Sequence, residues 1–287
     1  MTTPTPNDVA PGHPPLDWHA LGAGPPIVLV HGALADRRLW DRHLPRLAAA
    51  GLRAIAVTLP HHGPQPDAGD ARPFGLRAHT DALAAFIDTR AAGPVHLVAW
   101  SYAAHAALTL AFERPALLRS VFVYEPGMPT FLQTPQDQQA FAEDVQALFG
   151  PVAAAVAGGD LETALVHLID GSASRPGHFA AQAAATRQIE RDNVHTLPLL
   201  LQQTPPPPLT AADLAAITVR TCVAAGERTR PAYGVVSRAA QAALPAHAVT
   251  VPGAGHMWPD EDPDAFCDAV LAFVAGGRPH VGERRSG

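Results

Sequence analysis

Ser101, His256 and two glutamates, Glu125 and Glu227, are residues whose types and order along the chain could perform nucleophilic chemistry together. The stretch VHLVAWSYAAHAALTLAF, residues 95–112, changes character at Ser101. Before it the residues are apolar without a break, as in a buried strand. After it come Ala, Leu and Phe at helical spacing. A hydroxyl on such a corner stands clear of both elements, but serine is a weak nucleophile until a base takes its proton. His256, in PGAGHMWPDEDPDAF, follows the last apolar run and sits in a loop freed by Gly253 and Gly255. Glu125 in VYEP and Glu227 in GERTRP follow two apolar runs between Ser101 and His256. A hydroxyl, an imidazole and a carboxylate in one site can attack a carbonyl and pass through a covalent acyl intermediate.

Such groups need rigid elements to aim them. PIVLVHG at 26–32, LRAIAVTLP at 52–60, VHLVAW at 95–100, SVFVYEP at 120–126, RTCVAAGE at 220–227 and HAVTVPGAG at 247–255 read as strands. Helical patterns separate them in RAHTDALAAFIDTRA, YAAHAALTLAFE, AYGVVSRAAQAAL and DPDAFCDAVLAFVA. Strands that are apolar on both faces and alternate with helices predict a parallel sheet covered on both sides. On such a sheet, functional side chains belong at the carboxyl ends of the strands. From 128 to 209 only helical patterns occur, in DQQAFAEDVQALF, DLETALVHLID and HFAAQAAATRQIERDNVHTLPLLLQQ, before the stiff TPPPPLT. An insertion of helices there predicts a cap over the strand ends, with an apolar face supplied by Phe131, Phe141, Phe149 and Phe179. The expected division is a disordered N-terminus at 1–15, a core at 16–127 and 210–275, the cap at 128–209 and a flexible tail at 276–287.

With a serine corner, then an acid, then a GAGH loop, and with HGALADRRLW after an early strand, the chain resembles the α/β-hydrolase-fold superfamily. The likeness is to serine-nucleophile members with a helical cap. It implies an α/β fold: a mostly parallel sheet with helices on both faces and a helical cap insertion. It also implies that the backbone N–H groups of Ala33 and Tyr102 form an oxyanion hole, with His31, Gly32, Trp100 and Met257 around the substrate pocket. His31 also reads as a loop-shaping residue, and His61 and His62 in LPHHG as lining the pocket entrance. The family's elbow has Gly two residues before and after the serine, whereas this chain has Ala99 and Ala103. The turn needs small side chains there, and a methyl is the smallest departure from Gly. The acid departs further. Members commonly place Asp three residues after the Gly ending the penultimate strand, and Thr229 stands there. Glu227 is close but early. Glu125 occupies the strand end where certain dehalogenases and luciferases carry their acid, and it is the expected partner of His256.

Composition removes several functional classes. A formal charge of -6 argues against a nucleic-acid groove. All basic residues are Arg and none is Lys, which excludes a lysine-dependent hydroxynitrile lyase mechanism. Serine in place of Asp argues against carboxylate alkylation of haloalkanes and epoxides. Cys222 and Cys267 have no metal-like spacing, and no cofactor or metal is expected. The first basic residue is Arg37 and no apolar run reaches the roughly 18 residues of a membrane helix. A cytoplasmic protein acting on a small-molecule substrate, without nucleic-acid or membrane partners, is the expectation; the oligomeric state stays open. Hydrolysis of a small to medium lipophilic ester or lactone is the leading reading. The alternatives are a carbon–carbon-bond hydrolase of ring-cleavage products and a non-catalytic ligand-binding protein on the same fold.

Overall fold

A computed structural model describes residues 16–65, 73–244 and 248–277. The proposed disordered N-terminus, and the tail beyond residue 277, lie outside the described residues. Seven strands occur among the described residues: β1 (Trp18–Leu21), β2 (Pro26–Val30), β3 (Arg53–Val57), β4 (Val95–Trp100), β5 (Leu118–Tyr124), β6 (Thr221–Gly226) and β7 (Ala248–Val251). Their order across the sheet is β1-β3-β2-β4-β5-β6-β7. Only β1 runs antiparallel, paired with β3 from Trp18 opposite Val57 to Leu21 opposite Ala54. The central strands β2, β4 and β5 are almost wholly buried, which is why they read as unbroken apolar runs.

Helices cover both faces. The core contains α1 (Leu44–Ala49), α2 (Leu76–Arg90) and α3 (Tyr102–Glu113). Between β5 and β6 come α4 (Pro135–Ala157), α5 (Leu161–Ser172), α6 (His178–Ala181), α7 (Ala184–Asp192), α8 (Thr196–Gln202) and α9 (Ala211–Ala215). The core then resumes with α10 (Pro231–Ala243), α11 (Trp258–Glu261) and α12 (Pro263–Val274). Cys222 and Cys267 are buried free thiols.

The helical insertion differs in detail from its sequence pattern. The stretch 178–203 reads as one helix but is broken into α6, α7 and α8, with Gln182 and Ala183 extended between the first two. Tertiary contacts override local propensity at the second break. There Asn193 donates to Asp36 Oδ2 at 2.8 Å and accepts from the backbone N–H of Gly63 at 2.6 Å, tying the insertion to two core loops. Helix α4 runs through Pro151 to 23 residues, and by length and composition alone it is apolar enough to cross a membrane, contrary to the reading of the run lengths. In the fold it is a partly exposed helix whose Phe141, Val145 and Phe149, at helical i, i+4 and i+8 positions, line a cavity.

One glycine fixes how the sheet meets the loop after β7. A Cβ on Gly226 would lie 2.4 Å from the carbonyl oxygen of Ala254 and 2.8 Å from the Tyr124 hydroxyl. The loop carrying His256 can therefore lie against the end of β6 only because that position has no side chain. Gly226→Ala is expected to destabilise the fold by about 1–3 kcal/mol, the usual effect of overpacking a buried site, as read from urea unfolding.

Candidate active site

Ser101 occupies the corner between β4 and α3 with φ of 55° and ψ of -114°. A non-glycine residue there is strained by about 1–3 kcal/mol, and the surroundings must hold it. Among the described non-glycine residues with positive φ, Ser101 appears but Ala99 and Ala103 do not, so neither alanine carries the strain of the turn. Both alanines are fully buried. Gly32 approaches from β2: a Cβ on it would lie 3.3 Å from Ser101 Cβ and 3.6 Å from the Trp100 ring. The His-Gly pair thus brings its loop against the elbow.

His256 Nε2 lies 3.0 Å from Ser101 Oγ, and His256 Nδ1 lies 2.6 Å from Glu125 Oε2. The imidazole is 4% exposed and the carboxyl is fully buried. Three further contacts fix the ring. The Trp100 indole N–H donates to the His256 carbonyl at 3.0 Å, and the Tyr124 hydroxyl donates to the Gly255 carbonyl at 2.6 Å. Tyr233 stacks on the imidazole with ring centroids 3.8 Å apart and planes 11° from parallel, while its hydroxyl lies 3.2 Å from Ser172 Oγ.

Glu125 is held as firmly. Its backbone sits at φ of 47°, a second strained residue just past the end of β5. Oε1 accepts from the backbone N–H of Gly226 at 2.7 Å, and Oε2 also accepts from Thr229 Oγ1 at 2.8 Å. Thr229, dismissed as an acid on sequence grounds, therefore contributes as a hydrogen-bond donor to the carboxylate that reaches in from the neighbouring strand. A polar residue at the position where related chains carry Asp was the one available signal. Glu227 lies elsewhere: its Oε2 accepts from the Gly253 N–H at 2.8 Å at an exposed site, and it makes no contact with His256.

A cavity of about 340 Å³ opens at Ser101 and His256. Gly32, Ala33, Trp100, Tyr102 and Met257 line it. Tyr102 opens α3, where its N–H has no acceptor within the helix. His31, expected at the pocket, does not line it. It is fully buried beneath the loop, bonding the Gly32 carbonyl through Nδ1 at 2.8 Å and accepting from the Leu59 N–H at 3.0 Å. Burial lowers its pKa to about 4, so it is a neutral strut at ordinary pH. His62, considered for the pocket entrance, packs edge-on between His31 and His79. His105 points away to the Pro207 carbonyl at 3.0 Å and anchors the proline-rich return. Of the insertion's phenylalanines, Phe141 and Phe149 line the cavity. Phe131 stacks on His105 and Phe179 lies under Arg191. Among the described residues no three His, Cys, Asp or Glu side chains converge as metal ligands.

The sheet order finds its counterpart by comparison. Residues 27–269 fit the model of the Alpha/beta hydrolase family, and the chain belongs to that family. Over 95 residues it is 41% identical to a pimeloyl-(acyl-carrier protein) methyl ester esterase of Neisseria meningitidis serogroup C, a match spanning 33% of this chain and 34% of that one. It is 31% identical over 120 residues to the lipase LipV of Mycobacterium tuberculosis, spanning 39% and 43% of the two chains. The chain thus matches well under half the length of these relatives. Among solved structures, the enol-lactonase of Burkholderia xenovorans LB400 superposes with a TM-score of 0.70 over 91% of this chain and 96% of its own, at 16% identity. That likeness is one of fold.

The Thr229 bond makes a testable demand. Thr229→Val keeps the shape but leaves Glu125 Oε2 without one of its two donors. The expected loss is about 1–3 kcal/mol in chemical denaturation, as for a buried polar group stripped of a partner.

Proposed function

We propose that the chain is a serine hydrolase that cleaves a small to medium lipophilic ester or lactone through an acyl-enzyme on Ser101. The observation that carries this reading is the unbroken line of contacts from Ser101 Oγ to His256 Nε2 and from His256 Nδ1 to Glu125, ending at the wall of a mostly apolar cavity. In this reading His256 takes the hydroxyl proton as Ser101 attacks the carbonyl, then gives it to the departing alkoxide. Glu125 holds the imidazole in the tautomer that leaves Nε2 free to accept, and stabilises the imidazolium that forms. The N–H groups of Ala33 and Tyr102 receive the negative oxygen, each such donor contributing about 2.7–4 kcal/mol. Water, activated by the same histidine, then releases the acid. The esterase and lipase names of the curated relatives support ester chemistry.

A fluorophosphonate probe followed by intact mass tests the nucleophile. Wild-type protein should gain one adduct on the peptide containing Ser101, and Ser101→Ala should gain none and turn over no p-nitrophenyl ester. An adduct that persists in the variant would move the nucleophile elsewhere. Glu125→Gln should lower kcat by up to about 10⁴-fold, the scale for removing a triad acid. Glu227→Gln, an exposed change, should leave kcat within about twofold, since surface substitutions rarely exceed about 0.5 kcal/mol. The reverse ranking would reassign the acid.

A further inference from the structure

The cavity wall is not uniformly apolar. Helix α7 presents Thr186, Ile189 and Glu190 on one face, at helical i, i+3 and i+4 positions, and all three line the cavity together with Asp260 of α11. Glu190 is 5% exposed. Its Oε1 accepts from Gln182 Nε2 at 2.9 Å, but its Oε2 is buried without a hydrogen-bond partner. Asp260 accepts from Thr186 Oγ1 at 3.1 Å and has the exposed Arg42 guanidinium 3.9 Å away. Glu190 makes no ion pair among the described residues, and no Arg is among the residues lining the cavity. A buried carboxyl with an unfilled oxygen is expensive for a fold to keep, since it forfeits its hydration for no bond in return. Such a group is explained if a ligand supplies the missing donor.

We infer that Glu190, with Thr186 and Asp260 beside it, is a subsite for a substrate whose apolar stem ends in an ammonium group, and that it turns away substrates ending in a carboxylate. The inference deepens the hydrolase reading and rests on it for the word substrate. An alkylammonium carries N–H donors for Glu190 Oε2 and a charge opposite to both carboxyls. A terminal carboxylate would meet two acidic side chains there, with no Arg among the lining residues and His256 at the Ser101 end of the cavity. The remaining lining, from Phe141, Phe149, Leu168 and Leu200, suits the methylene stem.

Protonation adds a dependence on pH. Burial raises the Glu190 pKa to about 8, against the Gln182 bond; the Asp260 charge raises it further, and Arg191 and Arg187 oppose. Burial likewise raises the Asp260 carboxyl, against its Thr186 bond, Arg42 and His178, with the Glu261 charge adding to the rise. Free Glu190 is therefore largely neutral at pH 7 and ionises as pH rises through about 8. A primary alkylamine stays protonated to about pH 10.4. Affinity for the ammonium should therefore rise between pH 6.5 and 9.

The test begins with binding alone. The dissociation constants of hexylammonium, 1-hexanol and hexanoate are measured by calorimetry for wild-type protein and for Glu190→Gln, at pH 6.5 and 9. At pH 9 wild type should bind hexylammonium about tenfold or more tighter than 1-hexanol, a difference of about 1.4 kcal/mol. Hexanoate should bind weakest. The preference should shrink at pH 6.5 and vanish in Glu190→Gln. Equal binding of the three ligands by wild type would overturn the subsite. Stability gives a readout that a structural carboxyl would not share. A folded pKa raised above the unfolded one means stability is lost as pH climbs from the ordinary carboxylate range to about 8. Glu190→Gln should thus raise Tm at pH 8 and leave it little changed near pH 4.5, whereas a lower Tm at both would mark a structural group and overturn the proposal. Should Glu190→Gln fail to fold, Thr186→Val replaces it, with a reduced ammonium preference expected and an unchanged one counting against the subsite. A second arm compares kcat/KM for p-nitrophenyl esters of 6-aminohexanoate, heptanoate and adipate. Turnover of heptanoate without an ammonium preference sinks the subsite and spares the hydrolase reading. An ammonium preference in binding, with no Ser101 labelling and no ester turnover, does the opposite.

Discussion

One buried carboxylate ties the site together. Glu125 is fully enclosed and receives three donors: the Gly226 backbone, the Thr229 hydroxyl and His256 Nδ1. These partners come from the end of β6, the loop after it and the loop after β7, while Glu125 itself directly follows β5. A charge in that place must be fully hydrogen-bonded, because its desolvation is otherwise unpaid. The demand runs in both directions. The loops are held at the strand ends by the carboxylate, and the carboxylate is tolerable only while the loops are in place.

The two strained backbones follow from this arrangement. Glu125 at φ of 47° and Ser101 at φ of 55° directly follow adjacent strands, and the Ser101 N–H bonds the Tyr124 carbonyl at 2.9 Å. Strain at one is therefore braced through the residue preceding the other. The alanines of the elbow are compatible with this because the left-handed residue is the serine, and its neighbours two positions away need only be small. Trp100 and Tyr124, each at the end of its strand, reach across to the loop that presents the imidazole. The same strands thus position Ser101, Glu125 and the struts of the His256 loop.

Much of this was legible in the chain. Strands β2 to β6 read as apolar runs because they are buried on both faces, whereas β7, at the sheet edge, read as one although only Val251 of it is buried. Ser101, Glu125 and His256 could be picked out because each sits next to the end of such a run. Strand β1 was missed: it has four residues, alternates between half-buried and exposed, and gains its identity only by pairing with β3. Thr229 was legible only as an absence of Asp, since a hydroxyl that serves a carboxylate from another strand leaves no local pattern. His31 read both as a loop-shaping residue and as part of the pocket, because a strand-end histidine looks the same in sequence whether it faces a cavity or props a loop; only the first role is seen. The break between α7 and α8 depends on Asn193 finding Asp36 and Gly63, contacts more than a hundred residues apart.

Those same contacts decide what the insertion can do. Helix α7 is fixed to the core by Asn193 at one end, by the Thr186 hydroxyl on Asp260, and by Asp192 against Arg38 at 2.9 Å. A helix held on both sides cannot slide to let a neighbouring group satisfy Glu190. The sheet therefore carries the reactive groups on strand ends that are stiff for reasons of hydrogen bonding, and the insertion carries a wall that is stiff for reasons of anchoring. Changes of residue on the cavity face of α7 would alter the cavity without disturbing the Glu125 network, because among the described residues no hydrogen bond joins the two. The Ser101–His256–Glu125 contacts and the cavity wall are therefore held by separate anchors, and the unfilled carboxyl of Glu190 lies on the wall.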